Sequence, residues 1–223
     1  MNSWTRTDRR IGMWAAVAIV VLTVAYIFTG TIWLVSNLNA ATAQGLQPSE
    51  PYLAILETLL LLTTPALVAL FAAIHAYAPP DRKTCSLAAF GFVTLLAGLT
   101  GIVHFVQLAV VRRTSSAAVA EVFRMYNPDG RLSTMLAIDF LGWDFFLGFG
   151  LLFAAAIFRG DKLQNAIRVS LILGGGLCLF GISGSLSGDL RLQYPAILGY
   201  AFVFPFSCLL LAKLFARADK TAG

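Results

Sequence analysis

The run "AAVAIVVLTVAYIFTG", residues 15–30, decides the fold class of this chain. It carries no charged residue and does not alternate apolar with polar residues, as a membrane-spanning strand would. The apolar character extends over residues 11–36, and roughly 20 such residues are enough for a helix to cross the hydrocarbon layer. The run is also longer than the apolar core of a signal peptide, about 7–15 residues. We therefore predict a retained transmembrane helix.

Five further runs have the same character, and the composition agrees with them. The chain is 58% hydrophobic and 12% charged, whereas a soluble domain has about 25% charged residues. We predict an all-α, polytopic membrane bundle of six transmembrane helices in one domain, residues 1–223. The predicted spans are 11–36, 52–78, 86–111, 135–158, 166–187 and 194–216.

The distribution of basic residues predicts the orientation. Eleven of the sixteen Lys and Arg residues fall on the side of the N-terminus, and cytoplasmic loops are enriched in these residues. We predict N-in and C-in topology, in the plasma membrane or, in a bacterium, the inner membrane. No basic stretch is interleaved with aromatic residues as in a nucleic-acid surface, so we expect membrane lipids and no nucleic acid as partners.

The loop 112–134 carries four of the five arginines on the predicted outer side. Four of its apolar residues have the spacing of one helix face: Val119, Val122, Phe123 and Tyr126. This pattern predicts a short amphipathic helix on the membrane surface, ended by the turn signal of residues 127–130. Its arginines either contact lipid phosphates or, in a lid over a pocket, meet an anionic group of a ligand through Arg131.

Four ionisable residues are predicted to lie in the outer half of the bundle. Counting about 1.5 Å of rise per residue, Glu57, His104, Asp139 and Asp144 come within one or two helical turns of a common depth. A charge at the centre of a transmembrane helix costs about 2.5–3.5 kcal/mol on insertion scales, and such residues face the bundle interior. Gln107, Tyr26 and Tyr200 map to the same half.

The positions of these residues around the helix axes show which of them can share a partner. Thr100, His104 and Gln107 form one polar stripe, whereas Asp139 and Asp144 lie about 140° apart around an α-helix. The two aspartates should therefore have different partners, one in a central pocket and one on a neighbouring helix or near Arg131. We predict Asp144, the deeper of the two, as the principal functional acid.

Gly142-Trp143-Asp144-Phe145 resembles the Gly-Trp-Glu-Phe stretch of integral-membrane terpene cyclases. The resemblance implies that Asp144 protonates an alkene or an epoxide. Asp144 stands where the family has glutamate, and the motif lies on the fourth run instead of an early one. The similarity covers these four residues of the chain.

Three functions remain open at this stage. In a membrane enzyme that isomerises or cyclises a lipophilic, isoprenoid-like substrate, Asp144 or Glu57 is the general acid. His104 is then the base or orients a carboxylate. The pocket residues, where aromatic faces could stabilise a cation, are Trp143, Gln107, Tyr26, Tyr200 and Arg131.

The first alternative is a small proton-linked transporter, with rocking at predicted helix breaks near Pro65 and Gly174–Gly176. The second is a membrane subunit whose buried polar residues form a packing network. We expect no cofactor and no metal, because the chain has no CxxC motif and His75 lies about 20 Å in depth from His104.

Overall fold

A computed structural model describes residues 4–37, 48–127 and 131–220, with side chains as far as residue 217. The described residues form six helical spans that are long and apolar enough to cross a membrane, which confirms the predicted number and is compatible with a multi-pass integral membrane protein. We number them span 1 to span 6: Arg6–Ser36, Tyr52–Tyr77, Pro80–Val111, Thr134–Ala155, Lys162–Ser187 and Leu190–Arg217.

Spans 3, 4 and 6 contain irregular turns, whereas spans 1, 2 and 5 are each one α-helix. Span 3 runs from a 3₁₀ turn, Pro80–Arg82, through the α-helix Lys83–Val106 to a π-helical segment, Gln107–Val111. Span 4 consists of the α-helix Thr134–Phe140, the π-helical segment Leu141–Phe146 and the α-helix Leu147–Ala155. Span 6 consists of a 3₁₀ turn, Leu190–Gln193, the α-helix Tyr194–Leu198, the π-helical segment Gly199–Val203 and the α-helix Phe204–Lys220.

Spans 1 and 5 begin four to five residues before the apolar runs do, because polar caps start each helix outside the apolar segment. The Thr5 side chain accepts from the Asp8 backbone N–H while Asp8 accepts from the Thr5 N–H, a reciprocal capping box. The Asp161 side chain accepts from the Gln164 N–H. These caps satisfy backbone donors that the helix itself leaves unpaired.

The six spans form a ring in chain order. Each packs against its neighbours in the sequence, and span 1 also packs against the Phe204–Lys220 helix of span 6. Because successive spans alternate in direction, both ends of the described chain lie at one end of the bundle, which we call the terminal end. The loop end carries the connections between spans 1 and 2, 3 and 4, and 5 and 6.

Large apolar side chains fill the terminal half of the bundle. Tyr77 stacks on Phe158 with ring centroids 5.8 Å apart, and Phe215 packs beside them. The fully buried residues of this core include Leu67, Leu70, Phe71, Leu147, Leu151 and Phe158. The terminal half is therefore a packed apolar core, and the buried carboxylates lie toward the loop end.

The predicted breaks in spans 2 and 5 are wrong, since both helices continue through them. Pro65 cannot donate to the Leu61 carbonyl, but the Thr64 hydroxyl donates to that carbonyl at 2.8 Å. A side chain thus replaces the missing backbone donor, which is a usual way for membrane helices to tolerate proline. Gly174 and Gly175 serve instead for close contact between helices.

The contact of span 5 with span 4 gives a first testable prediction. A methyl group on Gly175 would lie 2.8 Å from the Gly148 carbonyl oxygen, so span 4 would have to shift. We expect Gly175→Ala to lower the free energy of unfolding by about 1–3 kcal/mol. Gly176 has open space at its Cβ position, so Gly176→Ala is the matched control and should be neutral or slightly stabilising.

The measurement is the rate at which the fully buried thiols of Cys178 and Cys208 react with a maleimide dye as the detergent-solubilised protein is heated. Equal labelling rates in the two glycine variants would show that the close contact between spans 4 and 5 contributes nothing to stability.

The segment between spans 3 and 4 contains the predicted short helix, which spans Ala117–Phe123. The helical pattern was expected to include Tyr126, but the helix ends earlier and Tyr126 pairs with Leu132 in an isolated antiparallel bridge. Met125 is buried against Val103 of span 3. This packing turns the Tyr126 side chain toward the bundle interior.

Candidate functional site

Three buried side chains from spans 2, 3 and 4 form a line near the loop end. Glu57 Oε2 lies 2.5 Å from His104 Nδ1, and Asp139 Oδ1 lies 3.5 Å from His104 Nε2. All three residues are buried. We call them the Glu57–His104–Asp139 triad, in which one imidazole bridges two carboxylates.

Local structure fixes the Asp139 end of this line. The Ser133 side chain accepts from the Leu136 backbone N–H at 3.0 Å and so caps the first helix of span 4. The same hydroxyl donates to the Met125 carbonyl at 2.6 Å, which ties this cap to the preceding loop. Asp139 lies in the second turn of the helix that this cap starts, facing span 3.

Glu57 and His104 are hydrogen-bonded, whereas His104 Nε2 and Asp139 Oδ1, 3.5 Å apart, have no hydrogen-bond partner among the described residues. The two carboxylates approach different nitrogens of His104, on opposite sides of the ring, so the three groups do not converge on one point. Within residues 4–37, 48–127 and 131–217, no three His, Cys, Asp or Glu side chains are placed to hold a metal ion. Each of the two ring nitrogens lies beside one carboxylate, with which it could exchange a proton.

A cavity of about 380 Å³ lies beside the triad, between spans 1, 2, 4 and 6. Ligand pockets typically measure about 300–1,000 Å³. The apolar residues in its wall include Ile19, Leu22, Ile27, Leu60, Leu136, Phe140, Ile197 and Phe204. Asp139 supplies the carboxylate of the described wall, so the triad reaches the cavity through this residue.

Aromatic side chains with polar tips line the same cavity. Trp143 and Tyr200 lie with ring centroids 5.5 Å apart, and the hydroxyls of Tyr26 and Tyr126 are hydrogen-bonded. Burial, with smaller contributions from the Asp139 and Glu57 carboxylates, raises the pKa of the Tyr126 phenol far above its ordinary value. The Tyr126 phenol, which also borders the cavity, therefore stays protonated.

Spans 1 and 6 both contribute residues to the cavity wall. These spans pack together along the Phe204–Lys220 helix, and nearer the loop end their facing residues border the cavity. Phe202 both lines the cavity and is 55% exposed on the outer surface of the bundle.

Asp144 is buried but lies outside the cavity wall, unlike the position expected for the principal acid. Both of its carboxylate oxygens accept from Gln193 Nε2, at 2.8 and 2.7 Å. The wall carboxylate is Asp139, whose partner is on span 3. The two aspartates thus have different partners, and the shallower one faces the pocket.

Two further residues predicted to bind substrate also lie outside the cavity wall. Gln107 is buried, and its Nε2 donates to the Phe123 carbonyl at 2.7 Å, which fastens the short loop helix to span 3. Arg131 is exposed and lines a second, polar groove with Glu121 and Arg124. Neither residue borders the 380 Å³ cavity.

The structure brings together Glu57, His104 and Asp139, which the depth comparison groups. It places Tyr26 and Tyr200 of the same group in the cavity wall, together with the predicted pocket residue Trp143. Sequence reasoning missed Tyr126 and Gln193. Tyr126 lies three residues after the end of the loop helix, and its place before the sequence Asn-Pro-Asp-Gly was the available signal for a chain reversal. For Gln193 the sequence offers no comparable signal.

Comparison of the chain with protein-family models, with curated proteins and with solved structures gives no match in any of the three. The candidate function therefore rests on the geometry of the site.

Proposed function

We propose that this protein is a membrane enzyme that carries out acid–base chemistry, an isomerisation or a cyclisation, on a lipophilic, isoprenoid-like substrate. The observation that carries the proposal is the position of Asp139. Its carboxyl group lies in the wall of an apolar cavity and is backed by His104 and then by Glu57. A carboxyl group in contact with an apolar ligand and with a proton reservoir suits general acid catalysis.

The proposed reaction begins with proton transfer from the Asp139 carboxyl group to a carbon of a substrate double bond. The double-bond electrons form the new C–H bond, and a cation develops at the neighbouring carbon. The Asp139 carboxylate then takes a proton from an adjacent carbon, which gives an isomer. If a second double bond attacks the cation first, the carboxylate takes the proton from the resulting ring instead. Either way the Asp139 carboxyl group is restored, and between turnovers His104 passes protons between Asp139 and Glu57 with no net gain or loss.

The aromatic residues of the wall support this chemistry. Trp143, Tyr200 and Tyr26 present π faces or hydroxyls to the cavity, and an aromatic face attracts a cation within about 6 Å of its centroid. No Lys or Arg is among the described wall residues, so a developing positive charge meets no cationic side chain there.

The substrate is proposed to arrive from the bilayer. Proposed N-in and C-in topology puts the loop end, with the triad and the cavity, in the outer half of the membrane. In this proposal the substrate enters between spans 1 and 6, beside the exposed wall residue Phe202, from the outer leaflet of a plasma or bacterial inner membrane. The short helix Ala117–Phe123 is proposed to lie at that membrane surface.

Proton-linked transport is the alternative that the same triad would serve. It requires a path from the cavity to the other side of the membrane. The terminal half is filled by Leu70, Phe71, Phe158 and their neighbours, and the breaks expected to permit rocking in spans 2 and 5 are absent from those described helices. Because the packed terminal half leaves no path across the bundle among the described residues, an enzyme agrees better with this packing than a transporter does.

The experiment uses the full-length protein in lipid nanodiscs prepared in D₂O. Two probes are added separately: geranylgeraniol, and a total lipid extract from the membrane of origin. Protonation of a carbon followed by deprotonation leaves deuterium at a position that does not exchange with water, and mass spectrometry detects it. We expect one lipid class to gain deuterium in the presence of the protein and not with empty nanodiscs.

The opposite result is an extract in which no lipid gains deuterium, and it would remove the enzyme proposal. Proton flux into liposomes, followed with an internal pH dye, then separates the remaining functions. A flux that depends on Asp139 would favour the transporter, and its absence would favour a subunit in which the triad is a packing network.

A further inference from the structure

Asp144 is a buried carboxylate that the proposed reaction does not use. It is 1% exposed and its partner Gln193 is 2% exposed. Within the described part of the chain, no Lys, Arg or His forms an ion pair with it. A carboxylate buried without a cation is costly in a membrane protein, and here both of its oxygens accept from Gln193.

The location of this pair links three spans. Asp144 lies in the π-helical segment Leu141–Phe146 of span 4, and Gln193 ends the 3₁₀ turn that opens span 6. Span 5 presents Gly181 to them, where a methyl group would lie 3.1 Å from Asp144 Oδ2. The absence of a side chain at this position lets the carboxylate approach span 5 while Gln193 holds it from span 6.

Both members of the pair stand directly beside cavity residues. Trp143 precedes Asp144 on span 4 and contacts Tyr200 of span 6. The span 6 wall of the cavity begins one turn after Gln193: Ile197, Tyr200, Ala201, Phe202 and Phe204. Any shift of Gln193 relative to Asp144 would therefore move Tyr200 relative to Trp143.

We propose that the Asp144–Gln193 pair is a strut that sets the position of the span 6 wall, which makes Asp144 a positioning residue and not the acid of the reaction. The proposal rests on the proposed function in one respect, that the cavity is the substrate site. A positioning role requires hydrogen bonds between spans 4 and 6, whereas a general acid requires a proton that it can donate to the substrate. The two roles predict opposite results for an isosteric amide.

In the Asp144→Asn variant the side chain keeps its shape and gains an N–H. That group could donate to Gln193 Oε1, which has no hydrogen-bond partner among the described residues, while Gln193 Nε2 continues to donate. Asp144→Leu and Gln193→Leu each remove the hydrogen bonds. The Ser207→Ala variant is the matched control, because it breaks a buried 2.9 Å contact between spans 5 and 6 on the other side of the span 6 wall, one turn beyond Phe204 toward the terminal end.

The variants are made in a background where Trp4, Trp14 and Trp33 are replaced by Phe, so that Trp143 alone fluoresces. The emission maximum and lifetime of Trp143 are measured without ligand, and geranylgeraniol is then titrated. We expect Asp144→Asn and Ser207→Ala to bind the probe within about 3-fold of the background protein. For Asp144→Leu and Gln193→Leu we expect at least about 10-fold weaker binding and altered Trp143 emission.

The proposal is overturned if Asp144→Asn behaves like Asp144→Leu, or if Gln193→Leu leaves Trp143 emission unchanged. If Asp144→Leu fails to fold, the Asp144→Asn and Gln193→Leu variants still test the proposal. If geranylgeraniol does not bind, the Trp143 emission measured without ligand still tests it. Because emission reports cavity geometry and not catalysis, an absence of deuterium incorporation would remove the proposed function and leave the strut standing.

Discussion

Replacement of His104 by leucine is expected to lower the free energy of unfolding by about 3–5 kcal/mol, the typical effect of removing one partner from a buried charged pair. In the native protein the imidazole lies 2.5 Å from Glu57 and 3.5 Å from Asp139. Leucine has a similar volume but no hydrogen-bonding group. Two buried carboxyl groups would then face each other across an apolar side chain without a shared partner.

Thermal unfolding in detergent measures this effect, read by maleimide labelling of Cys178 and Cys208 in a background where Cys85, which is less buried, is replaced by serine. His75→Leu is the control, because the His75 ring has one hydrogen-bonding contact, with the Ser86 hydroxyl at 2.8 Å. We expect this substitution to lower the free energy of unfolding by about 1 kcal/mol.

A compensated variant tests the cause of the His104 effect. Glu57→Gln and Asp139→Asn, added to His104→Leu, remove both carboxyl groups while keeping their shapes. We expect this combination to recover part of the lost stability. If His104→Leu alone stays within about 1 kcal/mol of the native protein, the bridging role of the imidazole is contradicted.

The fold was predictable because a lipid environment leaves few choices. Backbone groups in hydrocarbon must be satisfied within the segment, so an apolar run such as residues 15–30 has to be helical. The helix starts were less predictable, since the caps at Thr5 and Asp161 extend the helices into polar sequence. Pro65 misled for a related reason: the Thr64 hydroxyl repairs the helix locally, and hydropathy does not register that contact.

The depth of each site residue was predictable from the sequence, but the direction in which its side chain points around the helix was less so. Depth follows from counting residues, and it groups Glu57, His104, Asp139 and Asp144, of which the first three come together in the structure. Direction depends on the helical phase, which was calculated for a regular α-helix. The π-helical segment Leu141–Phe146 interrupts that phase between Asp139 and Asp144. Such segments occur frequently at functional sites, and nothing in the residues of span 4 marks where one begins.

The largest catalytic effect is expected at Asp139. In the deuterium assay, Asp139→Asn should lower incorporation into the substrate lipid by about 10²–10⁴-fold, the usual contribution of a general acid or base. The amide keeps the shape of the cavity wall but has no acidic proton to give to carbon. Binding of the lipid should change little, because Asp139 is one polar group in a wall made mostly of apolar and aromatic residues.

Three variants make the result specific. Glu57→Gln removes the carboxyl group of the triad that does not border the cavity. We therefore expect a smaller loss of deuterium incorporation than for Asp139→Asn. Glu121→Gln changes an exposed carboxyl group on the loop helix and should leave the rate unchanged. Asp144→Asn should retain most of the rate if its role is positional. A rate that survives Asp139→Asn and is lost in Asp144→Asn would transfer the acid function to Asp144, and the cavity wall described here would then have to open toward span 5 during the reaction.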